Sequence, residues 1–207
     1  MPPKVKFQKE EIVQAALNIV RKKSIRAVTA REVAAELNVS PRPIFTYYDS
    51  MDSLRRDVCE QAKEHYRKYI ERGLQAEIPF QGVFRQYLQF AREEPELYRL
   101  LFLMPSGSGT QGAIEAMHFS QDLVRDSLMQ NYRIDALTAD SYFRSMWLSA
   151  CGVASLIVSG SCPWSDEEIL AIGSEISLAL YKAYKEIPGF TEGTYDKDAV
   201  FRSLVNR

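Results

Sequence analysis

Arg42 stands among Ser40, Pro43, Thr46 and Tyr47 in a segment short enough to form a single small helix. A guanidinium fork at such a tip can pair with guanine O6 and N7, a contact worth roughly 1–3 kcal/mol of discrimination. The same fork fits a phosphate equally well. Ser40, Thr46 and Tyr47 bring hydroxyls suited to base edges or phosphates. Pro43 offers an apolar face for a thymine methyl, or simply stiffens the helix. Thr29 opens the preceding segment as a helix cap, where an amino terminus can also face a phosphate. Lys9 adds a cation for sequence-independent phosphate contact. Together these residue types point to a surface that reads duplex nucleic acid.

Such a tip needs a rigid mount. Two short helices must cross over a tiny turn, with a small residue at the crossing and a turn residue that tolerates positive φ. Ala34 supplies the small residue, and Asn38 is among the few non-glycine types at ease in the left-handed region. Val33, Leu37, Val39, Ile44 and Tyr47 occupy the interior spacing. Thr29 and Glu32 read as a capping box, and Ser40-Pro41 as an N-cap with proline in the first turn. The nineteen residues from Thr29 to Tyr47 therefore predict a helix-turn-helix, an ordinary helical hairpin being the alternative.

The rest of the chain is patterned for helices. Ile12, Ala16, Ile19 and Val20 recur on one helical face, as do Phe80, Val83, Phe84, Tyr87, Leu88 and Ala91, and Ile169, Ile172, Ile176, Leu180 and Ala183. Breaks fall at Asp49-Ser50, Ile78-Pro79, Glu94-Pro95, Pro105 to Gly112 and Pro188-Gly189, and Ser165 with Glu168 reads as another capping box. The 207 residues are 46% hydrophobic and 26% charged, which excludes disordered and fibrous classes. The net charge of −1 hides an asymmetry: residues 1–70 carry 14 Lys/Arg against 9 Asp/Glu, leaving the excess acid in the remainder. A basic amino-terminal third fits a polyanion partner.

Other chemistries find little support. The basic run Met1–Lys9 leads into no apolar stretch, so no leader is expected. Ser145 to Ser165 lacks charge, but its serines, glycines and proline read as a buried helix and turn rather than a membrane span. Cys59, Cys151 and Cys162 form no CxxC pair and fit reduced thiols; His65 and His118 show no metal-ligand spacing. The run from Gly107 to Gly112 spells GxGxxG, yet a helical pattern precedes it where a dinucleotide site needs a strand.

From Gln8 to Leu54 the sequence resembles the amino-terminal domain of TetR-type bacterial transcriptional regulators, through IVQAALNIVRKKSIRAVTAREVAAELNVSPRPIFTYYDSMDSL. YLQFAREEPELYRLLF and WLSACG resemble one subgroup of the family's second domain, with Cys151-Gly152 in place of the usual His-Gly. The chain departs from the family pattern at Ser24 (usually Gly), Phe45 (usually a phosphate-binding Tyr), Tyr47 (usually His) and Met51 (usually Lys). Tyr47, Tyr48, Lys4, Lys6 and Lys9 are candidate replacements for the lost phosphate contacts.

The resemblance implies a homodimer on a palindromic double-stranded DNA operator. The two subunits would meet through a four-helix interface built from about Thr138 to Ser159 and Asp166 to Glu186. It also implies a small apolar or amphipathic effector inside the second domain. Phe84, Tyr87, Phe102, Met117, Phe119, Tyr142, Met146 and Trp147 are the candidate lining, with His118 to orient the ligand. Ordinary core packing is the competing reading of those residues. The expectation is an all-α protein of about nine helices. Residues 1–50 would form the helix-turn-helix domain, 51–190 the ligand-binding and dimerisation domain, and 191–207 a tail. It would act in the cytoplasm as a ligand-responsive regulator, a repressor, with no catalytic residue, metal or cofactor. A helical small-molecule-binding protein or enzyme with a vestigial head, or a regulator working through a protein partner, are the rivals.

Overall fold

The computed structural model describes residues 8–107, 109–110 and 112–206. Lys4 and Lys6 lie outside the described residues. Those that are described form ten α-helices and no β-strand, an all-α fold. The head comprises α1 (Lys9–Lys22), a 3₁₀ turn (Ile25–Ala27), α2 (Ala30–Glu36) and α3 (Ile44–Tyr47). α1 is amphipathic and buries Ile12, Val13, Ala15, Ala16, Leu17, Ile19 and Val20 against the other head elements and α4.

α4 (Met51–Leu74) leaves the head and becomes the spine of the body. Ser50 caps it by accepting from the Ser53 amide at 3.2 Å. α5 (Pro79–Glu93) packs back along α4, and the two backbones touch where Gly73 meets Gly82. A Cβ on Gly73 would lie 2.6 Å from the Val83 Cα, and one on Gly82 would run into the Gly73 carbonyl. Glycine at both positions is what lets the pair close. α6 (Pro95–Tyr98) follows at once and widens into a π-type turn (Arg99–Leu103). α7 (Ala113–Tyr132), α8 (Ala136–Val158) and α9 (Asp166–Glu186) complete the bundle.

The body core is built of rings. Tyr66, Tyr87, Phe90, Tyr98 and Phe102 interlock, with centroids 5.1 Å apart for Tyr66–Phe90, 5.3 Å for Tyr87–Phe102 and 4.9 Å for Tyr98–Phe102. Their hydroxyls stay satisfied: Tyr66 meets Ser120 Oγ at 3.0 Å, and Tyr87 meets Tyr98 at 3.1 Å.

Ser145, Ser149 and Ser155 on α8 each donate to the carbonyl four residues earlier. This satisfies their hydroxyls within the helix, and at its carboxy-terminal end the Val158 carbonyl accepts from Arg99 Nη2 at 2.7 Å. No helix among the described residues is long and apolar enough to cross a membrane. On α9 only Ile169 and Gly173 are buried. The remaining stripe residues Ile172, Ile176, Leu180 and Ala183 are half-covered, and Leu148 and Leu178 are 60% and 68% exposed.

Beyond Phe190 the chain is more structured than its mixed composition suggests. Phe190 packs on Tyr184 and Tyr195 with centroids 4.9 Å away in each case. α10 (Lys197–Val205) then forms with Asp196 as its cap, although it buries no residue.

Candidate functional site

The geometry of the head is set by one tight turn. Asn38 adopts φ +54°, and the amides of Asn38 and Val39 donate to the Ala35 and Ala34 carbonyls at 3.1 and 2.9 Å. These bonds finish α2 and swing the chain back over Ala34, which is buried. Val33 and Ile44 lock the two helices together and are wholly inaccessible.

Three local expectations are corrected. Ser40 does not cap α3: the helix begins at Ile44, and Pro41–Pro43 form a turn closed by the Ile44 amide on the Pro41 carbonyl at 3.1 Å. Neither proline has an N–H to give, so the segment before Ile44 lacks the amides that would extend the helix backwards. Tyr47 is not interior but 40% exposed; Tyr48 takes the interior place and donates its hydroxyl to Asp57 Oδ2 at 2.9 Å. Tyr48 is four residues from Ile44, so the helical period allows either tyrosine, and only packing against α4 chooses. Tyr48, a candidate replacement for a phosphate contact, is thus buried with its hydroxyl on Asp57. Finally, the Thr29–Glu32 box is half-made. Thr29 Oγ1 accepts from the Glu32 amide at 3.2 Å, but the Glu32 carboxylate turns to Lys23 at 2.7 Å. The Lys23 hydrogen bond holds that carboxyl below its usual range.

What remains outside is the tip. Ser40, Arg42, Thr46 and Tyr47 are exposed, and Pro43 is half-buried. Phe45 is 54% exposed beside them, an apolar contact surface that a search for hydrogen-bonding residues passes over. Of the head's cations, Lys22 and Lys23 are tied to Glu36 and Glu32. Lys9 is tied to Asp57 at 2.6 Å and sits over the Tyr48 ring. Burial alone would raise the Asp57 carboxyl, but Lys9 and Tyr48 outweigh it and hold it below its ordinary value. Arg26, Arg31 and Arg42 are exposed and form no ion pair among the described residues. Arg26 and Arg31 escape the sequence reading because nothing in their spacing separates them from solvated surface charge.

Head and body are joined by charge. Arg21 on α1 grips Glu94, at the α5–α6 break, through Nε at 2.9 Å and Nη2 at 2.8 Å, and His65 Nε2 on α4 lies 3.0 Å from the same carboxylate. Burial lowers the His65 imidazole; Glu94 opposes that and Arg21 adds to it. A second joint is the loop before α7. Gly109, at φ +85°, presses on α4 so closely that a Cβ would fall 2.7 Å from the Arg55 Cβ, and its carbonyl accepts from the Cys59 thiol at 3.3 Å. Of the GxGxxG glycines, Gly109 thus serves close packing, while Gly107 faces open space at φ +127°; Ser108 and Gln111 of that run lie outside the described residues. Burial pushes the Cys59 thiol up to about 12, so no reactive thiolate forms there.

The body holds an open cleft of about 210 Å³ between α5, the end of α7, α8 and α9, with Phe80, Phe84, Tyr132, Met146, Gly173 and Tyr181 in its wall. Of the candidate effector residues, Phe84 and Met146 reach it. Tyr87 and Trp147 line a deeper void of about 30 Å³, which Phe84 and Met146 also touch. Tyr142 is buried with its hydroxyl 2.5 Å from Ser177 Oγ; Phe102 and Met117 are packed core. Phe119 is half-buried beneath the Arg67 guanidinium, and His118 is exposed. Helical spacing marked these as apolar positions but did not say which face α9 would cover.

With this geometry in place, comparison identifies the fold. The family model for bacterial regulatory proteins of the tetR family matches residues 12–58, and that for the tetracyclin repressor-like C-terminal domain matches residues 80–172. The chain belongs to the TetR family. It is thus a TetR-family DNA-binding transcription regulator, with a helix-turn-helix head on a helical second domain.

Solved TetR-like structures share the fold at low identity. The fatty acid degradation regulator FadR from Bacillus halodurans is 11% identical with a TM-score of 0.59, over 84% of this chain and 98% of that one. A TetR family member from Streptomyces coelicolor A3 is 19% identical with a TM-score of 0.58, over 81% and 96%. A TetR-like regulator from Rhodococcus sp. RHA1 is 13% identical with a TM-score of 0.55, over 90% and 99%. No protein of curated function matches the chain.

Proposed function

We propose that the protein is a ligand-responsive repressor that binds a palindromic operator as a homodimer in the cytoplasm and lets go when a small effector occupies its body. Residues 1–50 form the DNA-binding domain, 51–190 the ligand-binding and dimerisation domain, and 191–207 the tail. Arg42 reads a base, while Ser40, Pro43, Thr46 and Tyr47 flank it in the major groove. Thr29 and Lys9 lie against phosphates, the latter by exchanging Asp57 for DNA. The observation that carries this reading is the exposed tip at Arg42, Phe45, Thr46 and Tyr47, held on a turn whose every inward residue is spent on packing.

The half-covered apolar stripe on α8 and α9 supports pairing of two copies, which would set two tips about 34–36 Å apart, or a multiple of it. The effector is apolar or amphipathic, enters the cleft beside Phe84 and Met146, and favours a body conformation in which the heads mis-span the operator. Arg21–Glu94–His65 passes that shift to α1. Footprinting on the DNA upstream of its own coding region, with a salt titration, tests the reading. A protected palindrome and a steep fall of affinity with salt are expected; uniform weak binding at all sequences refutes it.

A further inference from the structure

The outer cleft and the inner void are separated by three shared side chains, Phe80, Phe84 and Met146. Phe84 leans on Gly173 of α9, where a Cβ would come within 2.7 Å of its ring carbons. The ring therefore occupies the space that a side chain at position 173 would fill. Behind it, the void is lined by Tyr66, Tyr87, Ser120 and Trp147. Tyr66 donates to Ser120, because the Ser120 proton already goes to the Ala116 carbonyl at 2.7 Å. Trp147 is 7% exposed, and its Nε1–H is buried without a partner among the described residues. An orphaned buried donor is costly, and an incoming acceptor would recover that cost. No charged side chain lines the cleft or the void, so a carboxylate or ammonium pushed into the void would be desolvated without compensation.

We propose that cleft and void are one gated site, that Phe84 is the gate, and that the ligand is an uncharged chain bearing a terminal carbonyl that accepts from Trp147 Nε1–H. This rests on the effector reading above and names its ligand class. The outer cleft takes the apolar chain. The void holds only a group about the size of one or two heavy atoms, which suits the C=O group of a ketone, aldehyde or ester with the rest of the chain in the cleft.

The test uses the full chain and three probes of equal length: 2-nonanone, nonanoate and nonane. Binding is read from the Trp147 indole N–H resonance in the unaltered protein, and from fluorescence in Trp164→Phe, where Trp147 is the remaining tryptophan. The ketone should move that resonance and bind up to about tenfold tighter than nonane, the reach of one net hydrogen bond. Nonanoate should bind more weakly than the ketone. Trp147→Phe should abolish the preference for ketone over alkane, and Phe84→Ala should speed association while keeping it. Nonanoate binding as tightly as the ketone overturns the proposal. So does ketone binding that leaves the indole resonance unmoved, and that measurement needs no variant. Ketone bound at Trp147 without release of DNA would retire the release mechanism and leave this site standing. Release by compounds that never touch Trp147 would do the reverse.

Discussion

The buried hydrophobic residues of the head are aliphatic apart from Tyr48, and no polar side chain is buried among its described residues. The body interior is aromatic instead, and it buries Lys63, Ser120, Gln121, Thr138 and Ser141 as well as an unpartnered indole N–H. The head places its chemistry outside, on a tip whose mount is rigid and fully satisfied. The body places its chemistry inside, where large rings leave a void and an unsatisfied donor. A surface that reads a fixed lattice of bases gains from stiffness, whereas an interior with a void and an unpaired donor has packing left to rearrange.

The comparison breaks most sharply at the two cores. Ile44→Ala should cost about 2–5 kcal/mol in urea unfolding and abolish the operator footprint, because it removes the pin between α2 and α3. Ligand binding in the body should survive at temperatures where the variant stays folded. Gly82→Ala should cost about 1–3 kcal/mol by prising α4 from α5, and it should disturb the cleft before it disturbs the tip. If Gly82→Ala leaves thermal stability unchanged, the close crossing is not a constraint.

At the tip, Arg42→Ala should relax preference at one base pair by roughly 1–3 kcal/mol while leaving the salt slope nearly intact. A fall of about one unit in that slope would instead assign Arg42 to a phosphate.

The smallest effect belongs to the joint. His65 has its imidazole held below the ordinary 6.5, so the folded chain resists a proton that the unfolded chain accepts. Stability present above about 6.5 should therefore decline as the pH falls through and below that value. His65→Gln should remove that acid-side slope, and an unchanged pH profile in the variant would show that the joint does not titrate.

Much of the head was legible beforehand because its constraints are local. Asn38 at positive φ, Ala34 at the crossing and Thr29 as a cap each follow from the preference of one residue within a few positions of its partner. Where two local rules competed, the sequence left the choice open. The prolines at 41 and 43 shortened α3, and Tyr48 rather than Tyr47 turned inward because α4 offered Asp57.

In the body the helices could be read from their apolar period, and the breaks from Pro79, Pro95 and the Ser165 cap. Their mutual placement could not. Gly73 and Gly82 are nine positions apart and meet only because α5 reverses along α4. Gly173 meets Phe84 across 89 residues of chain, and Arg21 meets Glu94 across 73. A sequence of this kind settles which residues are helical and which face of each helix is apolar, since both depend on neighbours one turn away. Which apolar faces meet, which ring is left beside a void and which charges bind head to body depend on contacts between distant segments, and those exist only once the chain has folded.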